Sequence, residues 1–427
     1  MDELKTKRGG LGYMIKIAYR NIYRNKRRSV LCMTAIGLAV FFIVFMMGWI
    51  MGMYDSVVKT VLTFETGHVQ VFTKEYFAKE DFIPVQYPVE FENGSVDEFI
   101  DEIGKIPGVK AVLPRIASYT TLTDSKVKHA VLWGLHIQKE FETNVFNLKE
   151  KSNGLIKGRY PLENENACAI GRKMAEKMGV TIGDSIPLKA VSSQFSDKFW
   201  NPEIVGIFDF DYGSVDTLYI IVPYERLQKI LSLRNKAQKI ILYLDNPEDS
   251  EIVKSAITEL IAKKGNSDVI VKKWQEHQFI DMFKQMASIY VIVFLVFIIV
   301  ASFLIVNTVL MMIHERIKEI GMMGALGMTR LEIMSVFFFE AVLLSILGSF
   351  FGILVGGVVS YAMSLYPIDV VSLSGGMEMS ISNTIFVKFS WLYLLLSFIF
   401  GVFVSSVCTL FPSMKSAFIE PVEALRN

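Results

Sequence analysis

Four stretches of the chain are predominantly apolar over a length that crosses a bilayer: Val30 to Met53, Ala287 to Ile313, Ile333 to Tyr361 and Trp391 to Leu410. A span needs about 20 such residues, so four transmembrane helices are predicted. Between the first and second lies Val58 to Gln285, a long segment of mixed polarity, whereas the other two connections are short. In that segment β-branched or period-2 runs recur at His68 to Phe72, Ala130 to Trp133, Ile204 to Phe208, Thr217 to Val222, Lys239 to Leu244 and Asp268 to Val271. Between them Val96 to Ile103, Arg172 to Met178, Tyr224 to Leu233 and Ser250 to Lys263 have the spacing of amphipathic helices. The expected fold is an α-helical membrane protein with four transmembrane helices and a large α+β domain inserted between helices 1 and 2.

Composition agrees with a membrane protein: 52% of the 427 residues are hydrophobic, only 20% are charged, and the mean hydropathy is +0.39. Forty-four basic against 43 acidic residues leave a net charge of +1, so no global basic field exists to hold nucleic acid. Location matters more than the sum. Lys and Arg crowd the segment before the first span (Lys5, Lys7, Arg8, Lys16, Arg20, Arg24, Lys26, Arg27 and Arg28) and recur at Arg316, Lys318 and Arg330 after the second and at Lys415 and Arg426 in the tail. The loop Ala362 to Ser390 carries only Lys388. By the positive-inside rule both termini and the middle loop are predicted cytoplasmic, which puts the large domain outside. The first span reads as a retained signal anchor, being longer than a signal-peptide core and followed by no small-x-small site. Upstream, Tyr13 to Arg28 fits either a helix lying on an anionic leaflet or plain basic flanking.

The sites implied divide into four expectations. The domain boundaries are 1–29 for the basic helix, 30–57 for the first span, 58–285 for the external domain and 286–427 for the remainder, with a cytoplasmic tail over 411–427. His314 to Arg330 reads as a short amphipathic helix with Ile317, Ile320, Met323 and Gly324 on one face and Arg316, Lys318 and Glu319 on others, suited to docking in a groove on another protein. His314-Glu315 is not a zinc-protease start, because position 318 is Lys318 rather than histidine. Glu340 lies in the third span as an isolated acid, either a proton or substrate site or a hydrogen bond stitching helices, with the stitch favoured. Gly348, Gly352 and Gly356 form one small-residue face, a packing seam or a dimer contact.

In the external segment Phe195, Phe199 and Trp200 cluster in the polar connection Ser193 to Pro202. They contact a partner or acyl chain, or fold back onto the core, the second being favoured. Asp209, Asp211 and Asp216 lack the closing glutamate of a calcium loop and read as a solvated turn. The scattered histidines and the three separated cysteines suggest neither a metal ligand set nor a disulfide framework. No segment matches GxxxxGK[ST], so any ATP hydrolysis is expected in another chain, and no catalytic residue, metal or cofactor is assigned to this one.

These residues carry a resemblance. The basic run Ala18 to Arg28, then Glu315, Arg316, Glu319, Ile320, Gly321, Ala325, Leu326 and Gly327 in the pattern E-R-x-x-E-I-G-x-x-x-A-L-G, then Glu340 with Gly348 and Gly352, resemble the FtsX/MacB-like permeases of type VII ABC transporters. The ending Pro412, Ala417, Pro421, Glu423, Ala424, Leu425 and Arg426 is similar as well. Gly67 to Val71 and Ile170 to Asp184 resemble the LolC/LolE-like lipoprotein-releasing branch. The resemblance implies that the external domain is a MacB-like periplasmic core, and that the 314–330 helix couples to a cytoplasmic ABC ATPase carrying ATP and Mg. It further implies a second permease, identical or paralogous, in a bacterial inner membrane. In a LolC-like protein a hairpin near Ser193 to Pro202 receives the periplasmic lipoprotein chaperone. The implied mechanism is mechanotransmission, with spans acting as levers on external domains. Two further readings are an efflux permease like MacB, in which the ATPase is normally fused at the N-terminus, and an FtsX-like regulator of a cell-wall hydrolase, whose external domain is normally smaller.

Overall fold

The computed structural model describes residues 11–24, 26–122, 126–143, 154–366, 368–369 and 384–417. Two units make up the chain. One is formed by residues 1–54, 285–368 and 386–427, the other by residues 55–284 and 369–385.

The first unit is helical: α1 (Leu11–Arg24), α2 (Lys26–Thr60), α3 (Gln278–Glu315), α4 (Ile317–Ala325), α5 (Arg330–Leu365) and α6 (Trp391–Ala417), of which the last turns of α2, from Asp55, and the first of α3, to Lys284, belong to the second unit. Four of these, α2, α3, α5 and α6, are long and apolar enough to cross a membrane. Uninterrupted helix is what apolar backbone requires there, because each N–H and C=O must be satisfied within its own segment. Helices outrun the apolar stretches at several ends. α2 continues through Thr60 into a π-helical turn over Val61–Thr66, and α6 continues past Pro412 to Ala417. The tail residues Pro421, Glu423, Ala424, Leu425 and Arg426 lie outside the described residues, as does most of the loop after α5.

The glycines of α5 are covered within the chain, so the dimer-contact reading of that face gives way to intramolecular packing. A Cβ on Gly352 would stand 2.5 Å from the Gly37 carbonyl oxygen, one on Gly348 2.9 Å from that of Met33, and one on Gly356 3.1 Å from the Val44 Cβ. Glycine lets the α2 and α5 backbones approach closely. Around this seam Ile36, Val40, Val44, Ile305, Val309, Ile313, Ile320, Ile333 and Phe337 form one buried cluster.

The second unit is built on strands β1 (Val69–Thr73), β2 (Val109–Leu122), β3 (His129–Leu135), β4 (Leu155–Gly158), β5 (Ala167–Gly171), β6 (Leu188–Val191), β7 (Asp197–Trp200), β8 (Glu203–Phe208), β9 (Tyr219–Pro223), β10 (Lys239–Leu244) and β11 (Val269–Lys273). The main path runs β11-β1-β10-β2-β3-β9-β5-β8-β4, with β6 and β7 branching from β2. It is mixed, since β3 pairs parallel with β9 and β5 with β8. β2 is the hinge of this path. Its first half pairs with β10 up to Arg115↔Lys239 and its second half with β3 from Ile116↔Gly134, so one strand serves two hydrophobic clusters. The helices Val96–Gly104 and Ser250–Lys263 cover one cluster, and Arg172–Met178 and Tyr224–Ile230 the other.

One expectation for this unit is corrected. Asp216 is wholly buried, not solvated, and accepts the Phe210 and Tyr212 N–H groups at 2.8 and 3.0 Å. Burial above all, with the nearby Asp209 charge, raises its carboxyl to about 8. The polar connection Ser193 to Pro202 contains the tip and second strand of a hairpin, as the LolC-like resemblance implies, with β6 and β7 paired at Leu188↔Trp200 and Val191↔Asp197.

Candidate coupling site

The pattern residues after α3 fold into a turn, a short helix and a second turn. α3 ends at Glu315, Arg316 occupies the corner, and α4 restarts with the Ile320 N–H bonded to the Arg316 carbonyl at 3.0 Å. α4 ends at Ala325, and the turn after it holds Gly327, whose φ of +88° suits glycine. There the Gly327 N–H reaches the Gly324 carbonyl and the Met328 N–H the Met323 carbonyl, at 3.0 and 3.1 Å, which together satisfy two of the helix's orphan acceptors. Thr329 then caps α5, exchanging bonds with Glu332 at 2.8 and 3.3 Å. Gly327 is thus needed by the turn itself.

Arg316 does not lie on a solvated face, as the helical pattern predicts, because it precedes α4 and turns inward. Only 4% of it is exposed, and its Nη1 donates to both oxygens of Glu340, itself 2% exposed, at 3.1 and 3.0 Å. Glu340 is therefore not an isolated acid; its base is 24 residues upstream, across a turn that no spacing rule links to it. The Asn21 side-chain amide donates to the same carboxylate at 3.2 Å. A second carboxylate joins the group, since Glu319 accepts from Arg24 at 2.5 Å and stands 3.9 Å from the Arg316 Nε. The Arg316 Nη2 is buried and finds no acceptor among the described residues. Five polar side chains from α1, the α3–α4 corner, α4 and α5 thus share one network. Nothing in the sequence singled out Asn21 or Arg24 beyond their place in a basic run.

The other pattern residues divide by exposure. Ile320 and Gly321 are buried on the inner face of α4, while Glu315, Ala325, Leu326 and Gly327 are exposed, Leu326 at 86%. An apolar side chain left that open at a helix end is a knob available to a groove.

A second arrangement, within the second unit, ties the π-helical turn Val61–Thr66 to the sheet. The π-helical turn leaves carbonyls outside the regular ladder, and two side chains collect them: the Arg115 Nη1 donates to the Phe64 carbonyl at 2.9 Å and the Tyr243 hydroxyl to that of Thr63 at 3.0 Å. Arg115 is held in turn by Glu140, through Nε and Nη2 at 2.9 Å each, with both residues buried. Glu65 accepts the Tyr212 hydroxyl at 3.1 Å and lies 3.3 Å from His277, whose imidazole burial lowers to about 4. The π-helical turn is therefore fastened to β2 and β10 within the second unit. An arginine interrupting the apolar run Ala111 to Ile116 was the sequence signal that could have found this joint.

On the hairpin, alternation separates the three aromatic residues. Phe195 and Phe199 are 79% and 77% exposed, whereas Trp200 is 9% exposed, packs in the core and donates its indole N–H to Asn166. Trp200 is thus removed from the contact candidates, because adjacent strand residues face opposite sides.

Two family patterns cover most of the chain: the MacB-like periplasmic core domain matches residues 29–260 and the FtsX-like permease C-terminal region residues 291–421. The chain belongs to the FtsX/MacB permease family. It is a multi-pass ABC-transporter permease with a periplasmic core domain between its first two membrane helices, and membership implies an ABC ATPase as partner. Relatives of the permease include the lipoprotein-releasing system transmembrane protein LolC of Xylella fastidiosa, 24% identical over 75% of this chain and 78% of that one. LolE of Haemophilus influenzae is 21% identical over 75% and 78%. The macrolide export ATP-binding/permease protein MacB of Campylobacter jejuni is 22% identical over 96% of this permease and 60% of its own length.

Proposed function

We propose that this permease releases lipoproteins from the outer leaflet of a bacterial inner membrane, as a mechanical transmitter driven by a separate cytoplasmic ABC ATPase. The observation that carries the transmission is the joint at the end of α2, where Arg115 and Tyr243 bind the carbonyls of the π-helical turn. A span whose end is fastened by buried hydrogen bonds moves the sheet with it, because breaking them leaves unsatisfied polar groups at about 1–3 kcal/mol each. The driving end is α4, with Glu315, Arg316, Glu319, Ile320, Gly321, Ala325, Leu326 and Gly327. Here Leu326 is the knob, Gly321 and Ile320 the packed face, and Arg316 and Glu319 the link to α1 and α5. Both termini and α4 are assigned to the cytoplasmic side, and the chain works beside a second permease, a copy or a paralogue.

Lipoprotein as cargo is supported by the relatives LolC and LolE, each matched over 78% of its length. The exposed Phe195 and Phe199 supply an apolar contact for a periplasmic lipoprotein chaperone. ATP and Mg belong to the partner. A second reading, efflux, is favoured by the MacB match over 96% of the chain. Depletion of the permease followed by mass spectrometry of inner-membrane lipoproteins separates the two: mature triacylated species accumulate if it releases them. Unchanged lipoproteins with raised drug sensitivity would instead establish efflux.

A further inference from the structure

A cavity of about 480 Å³ lies in the second unit and takes no part in the coupling network or the hairpin. Its size is that of a small-molecule site. One wall is a single helix face at the end of α2, with Asp55, Val58, Lys59 and Leu62 at three- and four-residue spacing. The facing wall carries His68, Lys110 and Leu244. Asp55 follows the last residue of the first apolar run, Met53, by two positions, so this wall starts about 3 Å further along the same helix.

The wall chemistry is asymmetric. The lining holds two ammonium groups and an imidazole and a single carboxylate, Asp55, which is one turn from Lys59 on the same helix. His68 accepts the Leu244 N–H on Nδ1 at 2.7 Å, which leaves Nε2 as the protonated, donating nitrogen of the neutral ring. Burial, and then the charge of Lys110, favour that neutral form. Ammonium groups and an N–H donor together match the oxygens of a phosphate. Val58, Leu62 and Leu244 add apolar surface beside them, which suits the glycerol and first acyl carbons of a lipid better than a bare ion.

We propose that this cavity binds the phosphate headgroup of an anionic lipid, held by Lys59, Lys110 and His68. The occupant would touch both the end of α2 and the strands to which Arg115 and Tyr243 fasten it, and so stiffen that joint. The proposal stands independently of the lipoprotein reading.

The test uses the full-length protein, delipidated in mild detergent, with native mass spectrometry counting adducts of phosphatidylglycerol and phosphatidylcholine. One saturable phosphatidylglycerol adduct per chain is expected, at least 10-fold tighter than phosphatidylcholine. K59Q/K110Q should weaken it at least 10-fold, K59R/K110R should retain it, and K126Q/K128Q, at exposed lysines before β3, should leave it unchanged. Lys59 and Lys110 are exposed, so the double variant keeps its thermal unfolding midpoint, which is checked on the same sample. Absence of the adduct, or an adduct indifferent to K59Q/K110Q, overturns the proposal. Equal competition by millimolar inorganic phosphate overturns the lipid as source in favour of the free anion.

Discussion

Replacing Glu340 tests the coupling network most directly. The carboxylate and Arg316 are almost wholly buried, 2% and 4% exposed, and among the described residues Glu319, at 3.9 Å, is the carboxylate left to Arg316 when Glu340 is removed. Breaking a buried pair from one side costs about 3–5 kcal/mol, because the surviving charge remains desolvated, whereas removing both partners is often neutral. Glu340→Leu alone and Arg316→Met alone should therefore each lose about 3–5 kcal/mol, and the double variant should recover most of that loss. Glu340→Gln keeps one acceptor oxygen for Asn21 and should cost less than the leucine. The assay is reversible unfolding of the full chain in bicelles, arranged as a double-mutant cycle. A coupling energy of at least about 3 kcal/mol is expected. Additivity within about 0.5 kcal/mol would refute the pair as a unit. ATPase activity of the assembled transporter supplies the second readout: the double variant, stable but without its link between α4 and α5, should no longer let cargo stimulate hydrolysis.

Trp200→Ala removes a core side chain and should cost about 3–5 kcal/mol in unfolding, while Phe195→Ser with Phe199→Ser should leave stability unchanged and weaken capture of a periplasmic chaperone. Equal destabilisation by both would contradict the alternation of β7. Gly352→Val should prevent α2 and α5 from packing, since even a Cβ would stand 2.5 Å from the Gly37 carbonyl oxygen; normal yield and melting of that variant would dismiss the seam. The pH dependence of stability should carry the signature of Asp216, raised to about 8 by burial. The folded state holds this proton between about pH 4, the unfolded value, and pH 8, so the contribution is full below pH 4 and lost as pH rises to 8. Asp216→Asn should flatten that fall in a thermal unfolding series, and an unchanged slope would exclude Asp216 as its source.

Much of the architecture follows from local pattern. A run of about 20 apolar residues can satisfy its backbone only as helix in a membrane, so the four spans and the inserted domain needed no tertiary information. The helices Arg172–Met178 and Ser250–Lys263 and the strand Lys239–Leu244 lie where periodicity puts them, because each buries one face of a regular element. β2 was missed: Pro114 and Arg115 interrupt its alternation where it leaves β10 for β3, and a strand that changes partners has no single-period pattern. The hairpin β6–β7 is legible through the resemblance and not through periodicity, its strands being only four residues long.

The candidate site divides the same way. Gly327 enters through the family pattern alone, although the positive φ it supplies after α4 is a local demand. Arg316 with Glu340, Asn21 with Glu340, and Arg115 with Glu140 were not legible. Each is a meeting of charged or amide groups from separate elements, and burial decides its worth. Sequence determined the spans and those helices and strands that keep a single period, because these depend on neighbours a few residues apart. Only the tertiary structure decided which charges are buried together and which glycines face another helix, because water is excluded by packing between elements distant in the chain.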